Sequence, residues 1–486
     1  MNCKHLFLGI AVLFSLTRTQ AQVTIAPDTG QIGGRLTLKQ AVDIAIKNNL
    51  LINQADITAQ RTRINLNQAW DYMLPTINGS MQQGISNGRS INPYTNQYVN
   101  SQVHFGSYSL NGNLTIFSGL QLQNQVRQYK FLYEADKLSL QQQKDNITLS
   151  VLLAYLQVLS SRDLLDIAKV QAEVDARQVG RLDTLNQSGA LLLLSNYTDL
   201  KGQYAGDLAN IATATNTLEQ AKIALFNLLN VPYRRDIEYD PNAFNLDIAE
   251  YNTNADSVFQ TALAVMPTIR SSRQRSRAYE KALSAARGAY YPTLSAFGNI
   301  STQYSDQAAT IQQVNPHDVA SQSQFVTVNG TIYPLMTKSY DEVNHTIPFW
   351  DQVRNNKSTQ YGLQLSIPIL NYLRTRNSVK QAKLDLKNAR LIEDNNRMLL
   401  QQQVETAYQN MIATYKQYKA YIDQASAYGE SFRTTEIRFN EGVINSDVYL
   451  LAKNKVDAAN VNLSIQKYSY IFRIKVLDYY QGKLSW

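Results

Sequence analysis

Arg127-Gln128-Tyr129-Lys130 returns as Lys380-Gln381-Ala382-Lys383, 253 residues further along a chain of 486. The same interval separates Gly189 from Gly442, and each of these glycines follows a long stretch of helical pattern. A long internal repeat sets the architecture of a chain before any single motif does. The unit is too long for an ordinary solenoid, so the sequence predicts two halves built on one plan.

The upstream part of the repeat keeps a shorter interval. Ala45 and Pro75-Thr76 return as Ala262 and Pro292-Thr293, 217 residues later. The second half therefore carries 36 extra residues, the difference between the two intervals. The predicted organisation is a first repeat over 22–230, a connector over 231–253 and a second repeat over 254–486.

The first residues have the pattern of an export signal. Lys4 precedes an apolar segment from Leu6 to Leu16, and Thr19-Gln20-Ala21 resembles a cleavage site. We therefore predict a signal peptide over 1–21 and an exported mature chain. Cys3, the only cysteine, lies ahead of the apolar segment, so we expect no lipidated N-terminus, disulfide or thiolate site in the mature protein.

The rest of the composition excludes two further classes. No apolar run after the signal reaches the length of a membrane-spanning helix, so we expect no transmembrane helix. The net charge of +8 is spread along the chain. A mild, dispersed excess on an exported protein argues against a nucleic-acid partner.

Very long helices dominate the predicted secondary structure. Neither Pro nor Gly occurs between Leu120 and Gly180, and a helix continued to Asn186 would measure roughly 100 Å at 1.5 Å per residue. Its counterpart runs from about Tyr372 to Asn440. Helical pattern resumes after each polar turn, which predicts two antiparallel hairpins with tips near Gly189 and Gly442. Single shorter helices are predicted over 37–72, with Thr37 as N-cap, and over 254–290.

Four segments alternate apolar with polar side chains for about ten residues each. This period is typical of tilted membrane strands with a lipid face and a polar face. It is equally typical of a half-buried sheet in a soluble protein. The predicted strands are about 76–84, 108–117, 293–301 and 361–370.

Two other features accompany the strands. The polar segments 85–107 and 304–359 are interpreted as loops, which at this length are usually functional or disordered. Aromatic side chains stand where helix gives way to strand, as in the girdle at a membrane interface. The candidate interface residues are Trp70, Tyr72, Tyr290 and Tyr291.

Catalytic chemistry finds little support. The four histidines are His5, His104, His317 and His345, and no two of them are three or four residues apart. A phosphate-binding loop and an HExxH motif are both missing from the sequence. We therefore expect a protein that is not an enzyme and needs no cofactor or metal.

One acidic residue is notable for its location. Asp447 lies just after the Gly442 turn, at the start of the returning helix. An acid in the first turn stabilises a helix through its macrodipole. Alternatively, Asp447 faces a pore, where equivalent residues from several chains form a ring that attracts cations.

The second tip reads Arg438-Phe439-Asn440-Glu441-Gly442-Val443-Ile444-Asn445-Ser446-Asp447-Val448-Tyr449-Leu450-Leu451-Ala452. An aromatic residue, acid–Gly, a short polar turn and Asp-Val before a Leu- and Ala-rich helix resemble the TolC family of outer-membrane efflux proteins. Ile367-Pro368-Ile369-Leu370-Asn371, before the second long helix, also resembles that family. The order of parts extends the resemblance over essentially the whole mature chain.

The resemblance implies a membrane α+β fold of two tandem structural repeats. Three chains of a homotrimer would share one twelve-stranded β-barrel, which the helices would continue as a periplasmic α-helical barrel. It also implies an outer-membrane exit duct of a tripartite efflux or type I secretion system in a Gram-negative bacterium. A partner inner-membrane transporter would drive transport through a periplasmic adaptor.

The resemblance also carries over to particular residues. Asp447 matches one acidic position of the family's periplasmic gate, and the family's second acid falls at Leu450. The leucines from Leu191 to Leu194 are unusually apolar for a solvated tip, so we expect a partner to cover them. The candidate adaptor-contacting residues are Gly189, Leu191, Leu193, Gly442 and Val443.

Other classes of protein account for part of the pattern. An exported coiled-coil protein, structural or adhesive, would explain the long helices but not the four alternating strands. An exported enzyme would require clustered His, Asp or Ser residues. A self-sufficient porin would lack the long helices.

Overall fold

The computed structural model describes residues 34–91, 96–100, 102–188, 194–240 and 250–483. The predicted signal peptide and part of the predicted connector lie outside these residues. The helices are α1 (Leu38–Asn48), α2 (Leu50–Asp71), α3 (Gln121–Gln187), α4 (Leu194–Leu229), α5 (Ala255–Val265), α6 (Pro267–Gly288), α7 (Phe349–Asn355), α8 (Arg374–Asn440) and α9 (Ser446–Tyr480). The strands are β1 (Arg35–Leu36), β2 (Thr76–Ser86), β3 (Arg89–Ile91), β4 (Tyr98–Asn100), β5 (Val103–Ser118), β6 (Glu238–Tyr239), β7 (Thr293–Ser305), β8 (Ala309–Val328), β9 (Thr331–Thr346) and β10 (Ser358–Ser366).

Both giant helices form as predicted, and each has 67 residues. Each begins after two residues in the left-handed region. Gly119 and Leu120 have φ of 60° and 61°, and Tyr372 and Leu373 have φ of 53° and 57°. The two pairs are 253 residues apart, so the repeat preserves an unusual backbone conformation that only one of the four residues, Gly119, adopts without steric cost.

The prediction of one helix over 37–72 is wrong, because Asn49 breaks it. Thr37 does cap the first part, in a capping box with Gln40. Asn49 then turns extended, with φ −66° and ψ 125°, and its side chain accepts a hydrogen bond from the backbone N–H of Leu51 at 2.9 Å. That bond caps the new helix.

The matching helix of the second half breaks at the equivalent place, so the prediction over 254–290 is also wrong. Met266, 217 residues after Asn49, has φ −59° and ψ 122°. Here the cause is Pro267, which disfavours a helical conformation at the residue before it and suits the first position of the next helix. The same kink thus has two different causes, a side-chain cap in the first half and a proline in the second.

The chain divides into two compact units. We call residues 34–59, 135–272 and 393–483 the helical unit, and residues 60–134 and 273–392 the sheet unit. In the helical unit, the Tyr155 hydroxyl donates to the carbonyl of Leu36 and accepts from the N–H of Asp240, both at 2.8 Å. These bonds fasten the parallel pair β1–β6 to the core, so the predicted connector contains a short strand.

The sheet unit holds an antiparallel sheet in the order β10-β7-β5-β2. The prediction of a loop over 304–359 is wrong, because β8 and β9 pair there as a hairpin that contains most of the extra length of the second half. The segment 85–107 is also not a simple loop, since β3 and β4 pair within it.

The buried side chain of Gln352 on α7 closes the base of the β8–β9 hairpin. Its amide donates to the carbonyls of Ser305 at 2.9 Å and Ile347 at 2.8 Å. Its oxygen accepts from the N–H of Ser305 at 2.9 Å. One side chain therefore joins the segment before β8 to the segment after β9.

One described helix, α3, contains an 18-residue window that is apolar enough to cross a membrane, and 56 % of that window is buried inside the protein. The expectation of no transmembrane helix stays a prediction. Burial of this extent is also typical of a core helix, and the window alone decides nothing further.

Replacing Gly119 with alanine should destabilise the sheet unit. An added Cβ would lie 2.3 Å from the carbonyl oxygen of Gly288, at a residue whose φ is positive. Strain of this kind costs about 1–3 kcal/mol. Gly180→Ala is the matched control, because its Cβ meets open space within α3 and should stabilise by about 0.5–1 kcal/mol. Thermal unfolding followed by circular dichroism should separate the two variants, and equal midpoints would contradict the close approach.

Candidate functional site

The four-stranded sheet has one apolar face and one polar face. Residues paired across strands share a face, as Met81 does with Tyr108, Leu110 with Ile300, and Leu363 with Ala296. The apolar face consists of Ile77, Gly79, Met81, Tyr108, Leu110, Leu114, Leu294, Ala296, Ile300, Tyr361, Leu363 and Leu365. The polar face consists largely of Asn78, Ser80, Gln82, Ser107, Ser109, Asn111, Asn113, Ser295, Asn299, Ser301, Gln364 and Ser366.

Most of the apolar face is exposed, although α7 packs against part of it, where the ring of Phe349 lies edge-on to that of Tyr108. Ile77 is 69 % exposed, Tyr361 85 % and Leu363 67 %. A half-buried sheet of a soluble protein would turn this face to its core. The arrangement matches the alternative, in which lipid covers the apolar face.

The polar face carries a hydrogen-bonded row across three strands. The hydroxyls of Ser80 and Ser109 are 2.6 Å apart. The Asn111 amide donates to the Ser109 hydroxyl at 3.1 Å and accepts at its oxygen from the Asn299 amide. The face offers amide and hydroxyl groups to water, without any buried charge.

Both outer edges of the sheet are unpaired within the described residues. β2, with 11 residues, and β10, with nine, each have a strand on one side only. Open edges of this length template pairing with another strand. They are the most consequential feature of the sheet.

The four predicted interface aromatics are all exposed. Trp70 lies near the end of α2 and Tyr72 just beyond it, while Tyr290 and Tyr291 follow α6. Each shows more than half of its surface, from 52 % for Tyr290 to 61 % for Tyr72. They therefore border the strands that carry the apolar face, at the places where the sequence predicts them.

The second tip is a Schellman turn. Gly442 has φ 73°, its N–H bonds the carbonyl of Phe439 at 3.0 Å, and the N–H of Val443 bonds the carbonyl of Arg438 at 2.9 Å. Asp447 lies in the first turn of α9 and is exposed. Val443 is also exposed, which leaves both candidate residues accessible to a partner or a pore.

Beneath this tip the returning helix is anchored by an aromatic stack. Tyr449 is fully buried and its ring lies 4.6 Å from that of Phe439. Leu450 packs on the same cluster, so the position of the family's second acid serves packing here. The N–H of Ser446 donates to Asn196 at 3.1 Å, and its hydroxyl donates to Asp199 at 2.8 Å. These bonds dock α9 onto α4.

The first tip falls outside the described residues. Gly189, Leu191 and Leu193 therefore have no structural account, and their proposed contact with an adaptor stays a prediction. α3 ends at Gln187 and α4 begins at Leu194.

A buried ion cluster below the tip was missed from the sequence. The ammonium of Lys453 lies 3.1 Å from Asp175, 3.5 Å from Asp207 and 2.7 Å from Asp457. The side chains of Lys453 and Asp175 are 1 % and 0 % exposed. The internal repeat contained a sign that Lys453 is buried. The residue 253 positions before it is Leu200, which is itself fully buried.

One motif of hydrolases does occur. Gly84-Ile85-Ser86-Asn87-Gly88 fits GxSxG, a pattern that requires a strand-to-helix elbow to expose its serine as a nucleophile. Ser86 instead ends β2, and the next element is the strand β3. The motif therefore lacks the context its chemistry needs. Among the described residues, no group of three His, Cys, Asp or Glu could hold a metal ion.

Two sequence comparisons agree with each other. Residues 258–472 match the model of a family described as outer membrane efflux protein. A stretch of 248 residues is 30 % identical to outer membrane protein TolC of Salmonella enteritidis, covering 46 % of this chain and 48 % of that protein. The match thus spans about half the length of this curated relative.

Solved structures share the fold over most of the chain. A membrane protein from Pseudomonas aeruginosa aligns with a TM-score of 0.70 at 16 % identity, covering 92 % of both chains. The CmeC outer membrane channel of Campylobacter jejuni gives 0.69 at 18 % identity, covering 92 % of this chain and 86 % of its own. The open-state MtrE outer membrane channel of Neisseria gonorrhoeae gives 0.68 at 16 %, covering 92 % and 89 %.

Proposed function

We propose that this chain, whose residues 258–472 match the outer membrane efflux protein family, belongs to that family and serves in the outer membrane as a passive exit channel from the periplasm. The observation that carries this proposal is the four-stranded sheet, which has an exposed apolar face, a hydrogen-bonded polar face and two open edges. Lipid suits the first face and a water-filled passage suits the second.

The open edges argue for several copies. Each backbone group left unpaired in lipid costs several kcal/mol, so membrane strands persist only in closed barrels. Four strands per chain make twelve in a trimer. We therefore propose that β2 of one copy pairs with β10 of the next, and that the long helices continue the passage into the periplasm.

Partners supply the energy for such a passage. We propose that the tips near Gly189 and Gly442 contact a periplasmic adaptor, which links the channel to an inner-membrane transporter. The exposed Val443 at the described tip supports this placement. The alternative function, an exported coiled-coil protein without channel activity, does not explain why the sheet has an exposed apolar face.

Pairing between copies can be tested by disulfide trapping. Once the predicted signal with Cys3 is removed, the mature chain is free of cysteine. Met81→Cys combined in turn with Tyr361→Cys, Leu363→Cys or Leu365→Cys places two thiols on the same face of the two edges. One pair in this series should yield a covalent trimer in outer-membrane fractions.

The matched control for trapping combines Met81→Cys with Gln364→Cys, on opposite faces of the sheet. It should form no covalent trimer, because successive residues of a strand point to opposite sides. A soluble monomer by native mass spectrometry, with no covalent trimer from any pair, would defeat the proposal.

The proposed gate acid can be separated from its helix-stabilising role. Asp447→Asn should lower the cation selectivity of channels in planar bilayers, because the neutral ring no longer attracts cations. Asp256→Asn is the control, since Asp256 also occupies a first helical turn and its loss should cost a similar 0.3–1 kcal/mol, roughly, of helix stability. If both variants keep the selectivity of the wild type, Asp447 serves its helix alone.

The adaptor contact predicts a sharp effect of charge at the first tip. Leu193→Asp should abolish crosslinking to the adaptor, because an apolar patch covered by a partner does not tolerate a buried carboxylate. Leu208→Asp, at an exposed leucine within α4, should leave crosslinking intact. Unchanged crosslinking and efflux in Leu193→Asp cells would show that the leucine run is not the contact.

A further inference from the structure

The Lys453 cluster holds more negative than positive charge. It brings three carboxylates around one ammonium, from α3 (Asp175), α4 (Asp207) and α9 (Asp457). All but Asp457, whose side chain is 22 % exposed, are almost wholly buried. Fully ionised, the group would carry two uncompensated negative charges in a medium of low polarity, an arrangement that proteins avoid by taking up protons.

The surroundings of Asp175 favour a proton on that carboxyl. Lys453 lies 3.1 Å from Asp175 Oδ2 and also contacts Asp207, so a single ammonium is divided among several acids. Neither oxygen of Asp175 accepts a hydrogen bond from a donor among the described residues, and both are buried. A proton on Asp175 would remove its repulsion with the neighbouring carboxylate of Asp207.

We propose that the buried carboxyl of Asp175, beside Lys453 and Asp207, is a proton-binding site that fastens α9 to α3 and α4 below the tip, and that loss of the proton loosens this contact. The site stands on the contacts within one chain. It rests on the proposed channel only in that α9 then belongs to the periplasmic entrance, which opens more readily as the proton leaves.

The surrounding groups support a site that titrates near neutrality. Burial raises the pKa of Asp175 to about 7, although Lys453 opposes the rise, and the neighbouring Asp207 adds to it. Burial likewise raises the pKa of Asp457, against the pull of Lys453. Burial alone would lower the pKa of Lys453, but its carboxylate partners outweigh burial and keep the amine charged.

The other side chains around Asp175 do not offset the excess negative charge of the cluster. On α9, burial raises the pKa of the Tyr449 phenol, as do nearby acids including Glu436 of α8, so the phenol stays neutral. On α3, the amide of Gln171 lowers the pKa of Asp457 in part, against the larger effect of burial. Protons from solvent can reach the cluster, because Lys453 and Asp457 line a cavity of about 600 Å³ between residues of α3, α8 and α9.

The direction of the pH effect follows from the raised pKa. An unfolded Asp titrates near 3.9, roughly, so between that pH and about 7 the packed state binds a proton that the loosened state does not. The packed contact is therefore most stable at acid pH. It weakens as pH rises toward 7 and is least stable above 7.

Hydrogen exchange of purified full-length protein at pH 6 and pH 8 tests the site. After correction for intrinsic exchange rates, the protection of amides along residues 446–457 should fall about tenfold from pH 6 to pH 8, as one proton with a pKa near 7 requires. Asp175→Asn fixes the neutral form, so its protection should stay high and change little with pH. Should the first variant fail to fold, Asp207→Asn removes a neighbouring carboxylate that helps to raise the pKa of Asp175, so the change in protection from pH 6 to pH 8 should become smaller.

Asp166→Asn is the control, because Asp166 lines the same cavity but is 60 % exposed and lies outside the cluster. It should keep the tenfold slope. A wild type without the slope, or an Asp175→Asn variant that retains it, would overturn the proposal. The outcome is independent of the channel, since disulfide trapping tests the trimer and exchange reports the contact inside one chain.

Discussion

Unpaired backbone at the two edges of one small sheet is the constraint on which the rest of this protein depends. Water satisfies such edges, but lipid does not. The exposed apolar side chains of Ile77, Leu110 and Leu363 suit this sheet to lipid. In the proposed channel, the strands of further copies would complete such a sheet. The polar row of Ser80, Ser109, Asn111 and Asn299 would then line the closed passage.

The duplication explains how the helical part meets that constraint. Each half contains one helix of 67 residues that follows its strands in the sequence. One chain therefore supplies two similar helical segments. What the halves share is backbone geometry more than side-chain identity. Asn49 and Met266 make the same kink, one through an amide cap and the other because proline follows. Gly119 and Tyr372 adopt the same left-handed conformation, although only glycine does so freely.

The sequence predicted long helices and alternating strands well, because both rest on periodicity over many residues. Capping by Asn49 escaped notice, since a single amide side chain carries no periodic signal. The sequence predicts a loop in place of the β8–β9 hairpin, because polar residues and a long span hide the pairing of residues such as Val319 and Thr337. At the candidate sites, Asp447 and Val443 are exposed as a gate or contact requires. Lys453 was missed, because a charged residue on a helix is ordinarily solvated and its burial depends on partners from two other helices.

The fastening at Gln352 makes the hairpin between β8 and β9 a separable module. Three hydrogen bonds of one amide hold together the two segments where the hairpin begins and ends. Among the described residues, β8 and β9 pair only with each other. Insertions and deletions within this hairpin would therefore leave the pairing of the four-stranded sheet unchanged.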